Sequence, residues 1–275
     1  MVGPIESADR PFSAVIQPVS GVQVDIALLG PVEFRCAVRP FRRAAARDLV
    51  AYLACHREGV LTGQWVEALW PIHPVSPTTV HSTVSDARGA VGRDADGRPR
   101  MVRARGRLRL VDRVVTDVDL FGELSGSDDP WGSARALRLV RGVPLSGLRS
   151  CDWAVLDGTQ AELEAMIVRT ALTECERLLA HGDATGAEGV VQRALLASPY
   201  DERLYRSLLR VTAAQGNRAR LPATMARLRV LAGEAGSLPR GGSTTLSDLL
   251  HPETTALYEH LLHGKPAAEG SAARL

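Results

Sequence analysis

Apolar positions change their period several times along the chain. From Val22 to Val38, VQVDIALLGPVEFRCAV alternates closely enough for two short strands joined at Gly30-Pro31. The period then lengthens. In RRAAARDLVAYLACH, the residues Ala46, Leu49, Val50, Leu53 and Ala54 recur at three and four, which predicts a helix, and Gly59 follows as its stop. Thr62 is expected to N-cap a second helix, GQWVEALW, which Pro71 ends. Ser76 or Thr78 is expected to cap a third, with Val80, Val84, Ala87 and Val91 on one face. RMVRARGRLRLV then reads as two short strands about Arg105-Gly106, a hairpin. Strands, three helices and a hairpin in this order predict a winged helix-turn-helix preceded by a small sheet. Its third helix is the one that would enter a major groove.

After Thr116 the strand signals stop. DVDLFGEL opens a helical region that reaches about His263. Two pieces of it align: LLAHGDATGAEGVVQRAL and VTAAQGNRARLPATMARL. Gly182 and Gly216 are thirty-four residues apart, Ala187 falls on Leu221, and Ala194 on Leu228. A helix-turn-helix period of this length predicts a tetratricopeptide-like stack, in which each helix pair must bury its free face against the next. Pro222 lies where a repeat helix would run, so that helix either starts late, near Leu221, or is kinked. Residues 233–248 are rich in Gly and Ser and read as a loop, and HPETTALYEHLL as a closing helix with Pro252 near its first turn. The predicted fold is mainly α. A flexible arm (1–21) precedes an N-terminal winged helix-turn-helix with small β-sheet and wing (22–116). A C-terminal tetratricopeptide-like helical domain (117–263) and a disordered tail (264–275) complete the chain.

Composition sharpens this picture in a few places. A chain of 275 residues with 45% apolar content can bury two cores, and 4% aromatic content means that Leu, Val and Ala must build them. The net charge of +2 is unevenly spread. Residues 40–113 hold thirteen arginines against seven acids, whereas residues 114–275 have a net charge of −3. A basic segment followed by an acidic one fits a nucleic-acid module joined to a protein-binding one. Arg103, Arg105, Arg107 and Arg109 make the hairpin the most basic short stretch. Cys36, Cys55, Cys151 and Cys175 include no CxxC pair, so they read as small core residues of a reducing cytoplasm. No apolar run is long enough to span a membrane, and MVGPIESADRPFSAV lacks the basic start and apolar core of a secretory signal. His260 and His263 share a helix face without a third ligand, so no metal is expected. The sequence has no GxxxxGK, no GxGxxG after a strand, no GxSxG and no HExxH. The expectation is a non-enzyme without a cofactor.

DLVAYLACHREGVLTGQWVEALWP, the helix TVHSTVSDARGAVG, TDVDLF, ALRLVRGVPLSGL with DWA, and LLASPYDERLYRSLLRVTAAQGNRA occur in that order. Together they resemble the SARP-type regulators of actinobacteria, in which a winged-helix DNA-binding domain precedes a bacterial transcriptional activator domain. The resemblance covers roughly residues 24–262. It implies double-stranded DNA as a partner, RNA polymerase as a second, and a homodimer assembled through the helical domain. In that family the third helix commonly ends in a segment like SRLRRAL. Here it reads Ser85-Asp86-Ala87-Arg88-Gly89-Ala90-Val91, so Arg88 is left of three arginines.

The candidate DNA-binding residues are Thr78, Thr79, His81, Ser82, Ser85 and Arg88 of the third helix. To these are added Arg103, Arg105 and Arg107 of the wing, and Arg42 and Arg43 at the start of the first helix, where cations oppose the helix dipole. Asp86 is expected to face phosphates and repel them, and Gly89 to cost the helix about 1 kcal/mol relative to alanine. These two residues motivate an alternative, a degenerate winged helix acting as a protein-interaction or ligand-sensing scaffold without DNA binding.

Overall fold

The computed structural model describes residues 23–149, 152–235 and 250–264. They form two compact units. Among the described residues, the first comprises 23–149, 152–171 and 196–198, and the second 172–195, 199–235 and 250–264.

The first unit opens with two very short antiparallel strands, β1 (Ile26–Ala27) and β2 (Glu33–Phe34), with Ile26 opposite Phe34. Three helices come next: α1 (Ala44–Cys55), α2 (Thr62–Leu69) and α3 (Pro77–Val91). Strands β3 (Met101–Ala104) and β4 (Arg107–Leu110) then form the wing, with Ala104 paired to Arg107. The order is the predicted one. Leu49, Val50, Leu53 and Ala54 of α1 are buried along with Trp65, Val84, Ala87 and Val91, so the period-3.6 stripes do face one core. One cap differs from expectation, and a second settles between two candidates. Leu61 is the N-cap of α2, and the Gln64 side chain accepts its N–H at 2.8 Å, so Thr62 is already inside the helix. For α3 the cap is Ser76, whose hydroxyl accepts from Thr79 N–H, and Pro77 sits in the first turn, where no N–H is needed.

The first unit does not stop at the wing. Thr116 caps α4 (Asp117–Ser125) in a reciprocal box with Asp119. Helices α5 (Gly132–Leu137) and α6 (Asp152–Leu156) come after it, and α7 (Thr159–Ala180) runs across the limit of the unit at residue 171. Asp117 is buried, and its carboxylate accepts the N–H groups of Leu28 (2.6 Å) and Leu29 (3.0 Å). The division drawn between residues 116 and 117 therefore falls inside this unit.

In the second unit, the end of α7 leads into α8 (Ala184–Ala197), α9 (Glu202–Ala214) and α10 (Leu221–Ala235), and α11 (Pro252–His263) comes later. The thirty-four-residue spacing has a structural cause. Gly182 and Gly216 take positive φ (77° and 70°) just past the ends of α7 and α9. Around each, the same pair of bonds closes the helix: Gly182 N–H to Leu179 O with Asp183 N–H to Leu178 O, and Gly216 N–H to Ala213 O with Asn217 N–H to Thr212 O. Both are Schellman ends, which glycine suits because it has no Cβ. The paired positions Ala187, Ala194, Leu221 and Leu228 are all buried. The 3₁₀ turn Arg218–Arg220 precedes α10, so Pro222 sits in its first turn and the late start is the arrangement adopted.

The loop expected over 233–248 lies outside the described residues from 236 onward, as do the arm 1–21 and the tail from 265. Cys36 and Cys175 are buried, and burial pushes their thiols up to about 11, that of Cys55 to about 12. Among the described residues, no helix is long and apolar enough to cross a membrane, and no three His, Cys, Asp or Glu gather as metal ligands.

Candidate nucleic-acid interface

Beyond Pro77 at its start, helix α3 carries its exposed residues in one line: Thr78, His81, Ser85 and Arg88, spaced by three, four and three. Thr79 and Ser82 are half-buried, and both hydroxyls have local partners. Thr79 Oγ1 lies 3.1 Å from Ser76 Oγ, and Ser82 Oγ donates to Thr79 O at 3.0 Å. His81, Ser85 and Arg88 line a cleft of about 470 Å³, together with Val80, Val84, Thr62 from α2 and Arg103 from the wing. Arg103 Nη2 donates to Thr62 Oγ1 at 3.3 Å across it. One open cleft thus gathers two arginines, a histidine and two hydroxyls from three elements. It does not include Thr78, Thr79, Ser82, Arg42, Arg43, Arg105 or Arg107.

The wing turn is Arg105-Gly106, with φ of 51° and 78°. Both residues are left-handed, as a two-residue type I′ turn requires, and an arginine at the first of them is strained relative to asparagine or glycine. The Arg105 side chain has no partner among the described residues. Arg107 is exposed, but its Nη1 donates to Gly59 O at 2.9 Å and so also ties the wing to the α1–α2 turn.

Arg103 and Arg107 aside, the arginines of the basic segment now separate into two groups. Arg47, Arg57, Arg93 and Arg100 donate to backbone carbonyls, and Arg109 and Arg113 pair with Asp112 and Asp94. The side chains of Arg42, Arg43, Arg88, Arg98 and Arg105 are exposed and have no partner among the described residues.

Asp86 corrects the sequence reading. It is 6% exposed and turned away from the outer line of α3. Its Oδ2 accepts the backbone N–H groups of Arg42 and Arg43, each at 2.9 Å, and its Oδ1 accepts from Arg39 Nη1 at 2.9 Å. Burial pushes this carboxyl up. The bonds from Arg39 and from the two N–H groups outweigh burial and hold it below the usual carboxylate range. The N-cap of α1 is Arg43, which has no side-chain cap of its own. Asp86 accepts the N–H of this N-cap residue and that of Arg42 before it, and its charge lies at the positive end of the α1 dipole. It is a latch between α1 and α3, and the cationic start of α1 is thereby compensated. Gly89 has its own reason. A Cβ there would lie 2.2 Å from Arg39 Nη2, so the glycine makes room for the Arg39 guanidinium against the helix. The sequence reading missed Arg39 altogether.

The architecture defines a class: a winged helix-turn-helix unit joined to a unit of stacked helix pairs. Residues 123–247 match the model of the bacterial transcriptional activator domain. No curated protein sequence matches the chain. Among solved structures, that of Mycobacterium tuberculosis EmbR in complex with low affinity phosphopeptide is similar, with a TM-score of 0.59 at 22% identity. The match covers 88% of this chain and 65% of that one, and at this identity it is a likeness of fold. The domain match, over less than half of the chain, and the shared fold agree with the resemblance to SARP-type regulators that the motifs carry.

Proposed function

We propose that this chain is a sequence-specific DNA-binding transcriptional regulator, an activator working in the cytoplasm. The α3 line and the wing hold duplex DNA, and the helical part, residues 117–263, serves dimerisation and polymerase contact. No catalytic step is assigned to it. The observation that carries this reading is the cleft where Arg88, His81 and Ser85 of α3 meet Arg103 of the wing. These groups suit phosphate and base-edge contacts from a helix lying in a major groove. The exposed side chains of Arg42, Arg43 and Arg105 add cations that pair with no acid among the described residues. The scaffold alternative rested on Asp86 and Gly89. Both have structural roles in the Arg39 latch, so neither counts against DNA binding.

The test is fluorescence anisotropy with random duplex and with promoter fragments, each titrated at two salt concentrations. Affinity should fall steeply with salt, and promoter fragments should compete above random duplex. Arg105→Asn isolates the wing contact. Asparagine suits the left-handed turn position better than arginine does, so the hairpin is retained while one cation is removed. The variant should melt no lower than the parent and lose about 0.9 from the salt slope. A slope equal to the parent's removes Arg105 from the interface.

A further inference from the structure

Gly89 and Arg39 together contain a second message. Gly89 stands one helical turn beyond Ser85 and two beyond Ser82, on the side of α3 that holds the candidate contacts. The direction its Cβ would take is filled by Arg39, whose Nη2, Nε and Cζ come within 3.0 Å of that point. The guanidinium of residue 39, from the segment before α1, thus occupies the place on α3 where a side chain at 89 would begin.

It is held there by a fixed set of bonds. Nη1 donates to Asp86 Oδ1 (2.9 Å) and to Pro40 O (3.0 Å), and Nη2 donates to Asp86 O (3.1 Å). A guanidinium has five N–H groups. Three are occupied, and Nε–H and one Nη2–H have no acceptor among the described residues. The pair is also lopsided: the Arg39 side chain is 32% exposed and that of Asp86 6%, so the cation and not the carboxylate faces solvent. The Asp86 charge is further balanced by two backbone N–H groups at the start of α1. Arg42, Arg43 and Arg88 are exposed without partners among the described residues, which leaves the surroundings cationic.

We propose that Arg39 is a further duplex-contacting residue, a guanidinium lent to α3 by the chain before α1 and seated on Gly89 to grip a backbone phosphate beside the α3 line. The inference rests on the DNA-binding reading above. Asp86 and Gly89 are positioning residues in this arrangement. Asp86 fixes the guanidinium in advance, so little side-chain entropy is lost when the phosphate arrives.

The test compares salt slopes of duplex binding for the full chain, Arg39→Gln, Arg39→Ala, and the double variant Arg39→Ala/Gly89→Arg, which moves the guanidinium onto α3 itself. One phosphate contact contributes about 0.9 to the slope, or about 3.5-fold in affinity over a fourfold change of salt. Arg39→Gln and Arg39→Ala should each lose that contribution, and the double variant should regain it. Loss of a purely structural latch would lower the melting temperature without this slope change. Should Arg39→Ala fail to fold, Arg39→Gln decides, because its amide can still donate to Asp86 O. Wild-type binding with an unchanged slope in Arg39→Gln overturns this inference alone. A wild-type chain without salt-dependent duplex binding overturns the DNA-binding reading and this inference with it.

Discussion

Asp86 shows how one residue's role depends on which neighbour needs it. An acid on a helix expected to meet phosphate reads as a fault when only that helix is considered. The accounting changes once α1 is included. Its N-cap is an arginine without a side-chain cap, so its first N–H groups need an acceptor from elsewhere. Asp86 accepts the N–H of the N-cap Arg43 and that of Arg42 just before it, together with a bond from Arg39. Asp86→Asn keeps the shape but loses the charge, and should destabilise the first unit by about 2 kcal/mol, the size of a strong cap or of charge-assisted bonds. The pH dependence has a definite sign. The folded carboxyl titrates below its ordinary 3.8, so its stabilisation is fully present above that value. It is lost as pH falls through the lower folded value. Denaturant melts between pH 3 and pH 6 should therefore show a smaller loss on acidification in Asp86→Asn than in the parent. Equal losses would mean that the latch carries little energy. The signal was partly legible in the sequence. Asp86 directly precedes Ala87 of the apolar stripe, and the start of α1 lacked a cap. Arg39 was not legible, because its partner lies forty-seven residues on and nothing local marks it.

At the scale of elements, sequence pattern was a good guide where a local rule decides the outcome. The 3.6 period placed α1 and α3, the Arg105-Gly106 pair placed the wing turn, and the glycine spacing placed two helix ends. The errors came where several local solutions compete. Thr62 is a reasonable cap, but the chain instead closes α2 with Leu61 and the Gln64 side chain. Pro222 left two options open, and the turn Arg218–Arg220 resolves them by delaying the helix. The Schellman ends permit a paired prediction. Gly182→Ala and Gly216→Ala each force a Cβ into the left-handed region, with open space around it, so the cost is conformational and not a clash. Each should destabilise by about 1 kcal/mol, and by nearly equal amounts, since the two ends make the same pair of bonds. Thermal melts of the two single variants check this. Clearly unequal shifts would mean that the two repeats are not equivalent units.

At the scale of the molecule, the question is where the winged-helix half ends. Composition and the loss of strand signals suggest residue 116, but the hydrogen bonds run past it. The segment around β1 is completed by residues beyond the wing. Asp25 and Ile26 donate to Val115 O, and Leu28 and Leu29 donate to the Asp117 carboxylate. Arg141 N–H then meets Leu29 O, Leu145 N–H meets Leu28 O, and Val32 N–H meets Ser146 O. Leu28, Leu29, Leu120, Phe121, Leu137 and Leu145 are all nearly or wholly buried. A fragment ending at 116 would expose Leu28 and Leu29 and leave four or more backbone groups without their partners, at about 1 kcal/mol or more each. That loss is comparable to the whole stability of a small domain. A fragment of residues 23–116 should therefore melt without a cooperative transition, whereas residues 23–158, which retain α4, α5 and α6, should melt cooperatively. Circular dichroism melts of the two fragments decide the matter. A sharp transition in the shorter one would make the winged helix an independent module, to which the later helices are merely attached. Its absence would mean that the first turns of the helical region are part of the winged-helix unit, so a change at α4 or α5 would be felt at β1 and, through the Val32 O bond to Arg47, at α1.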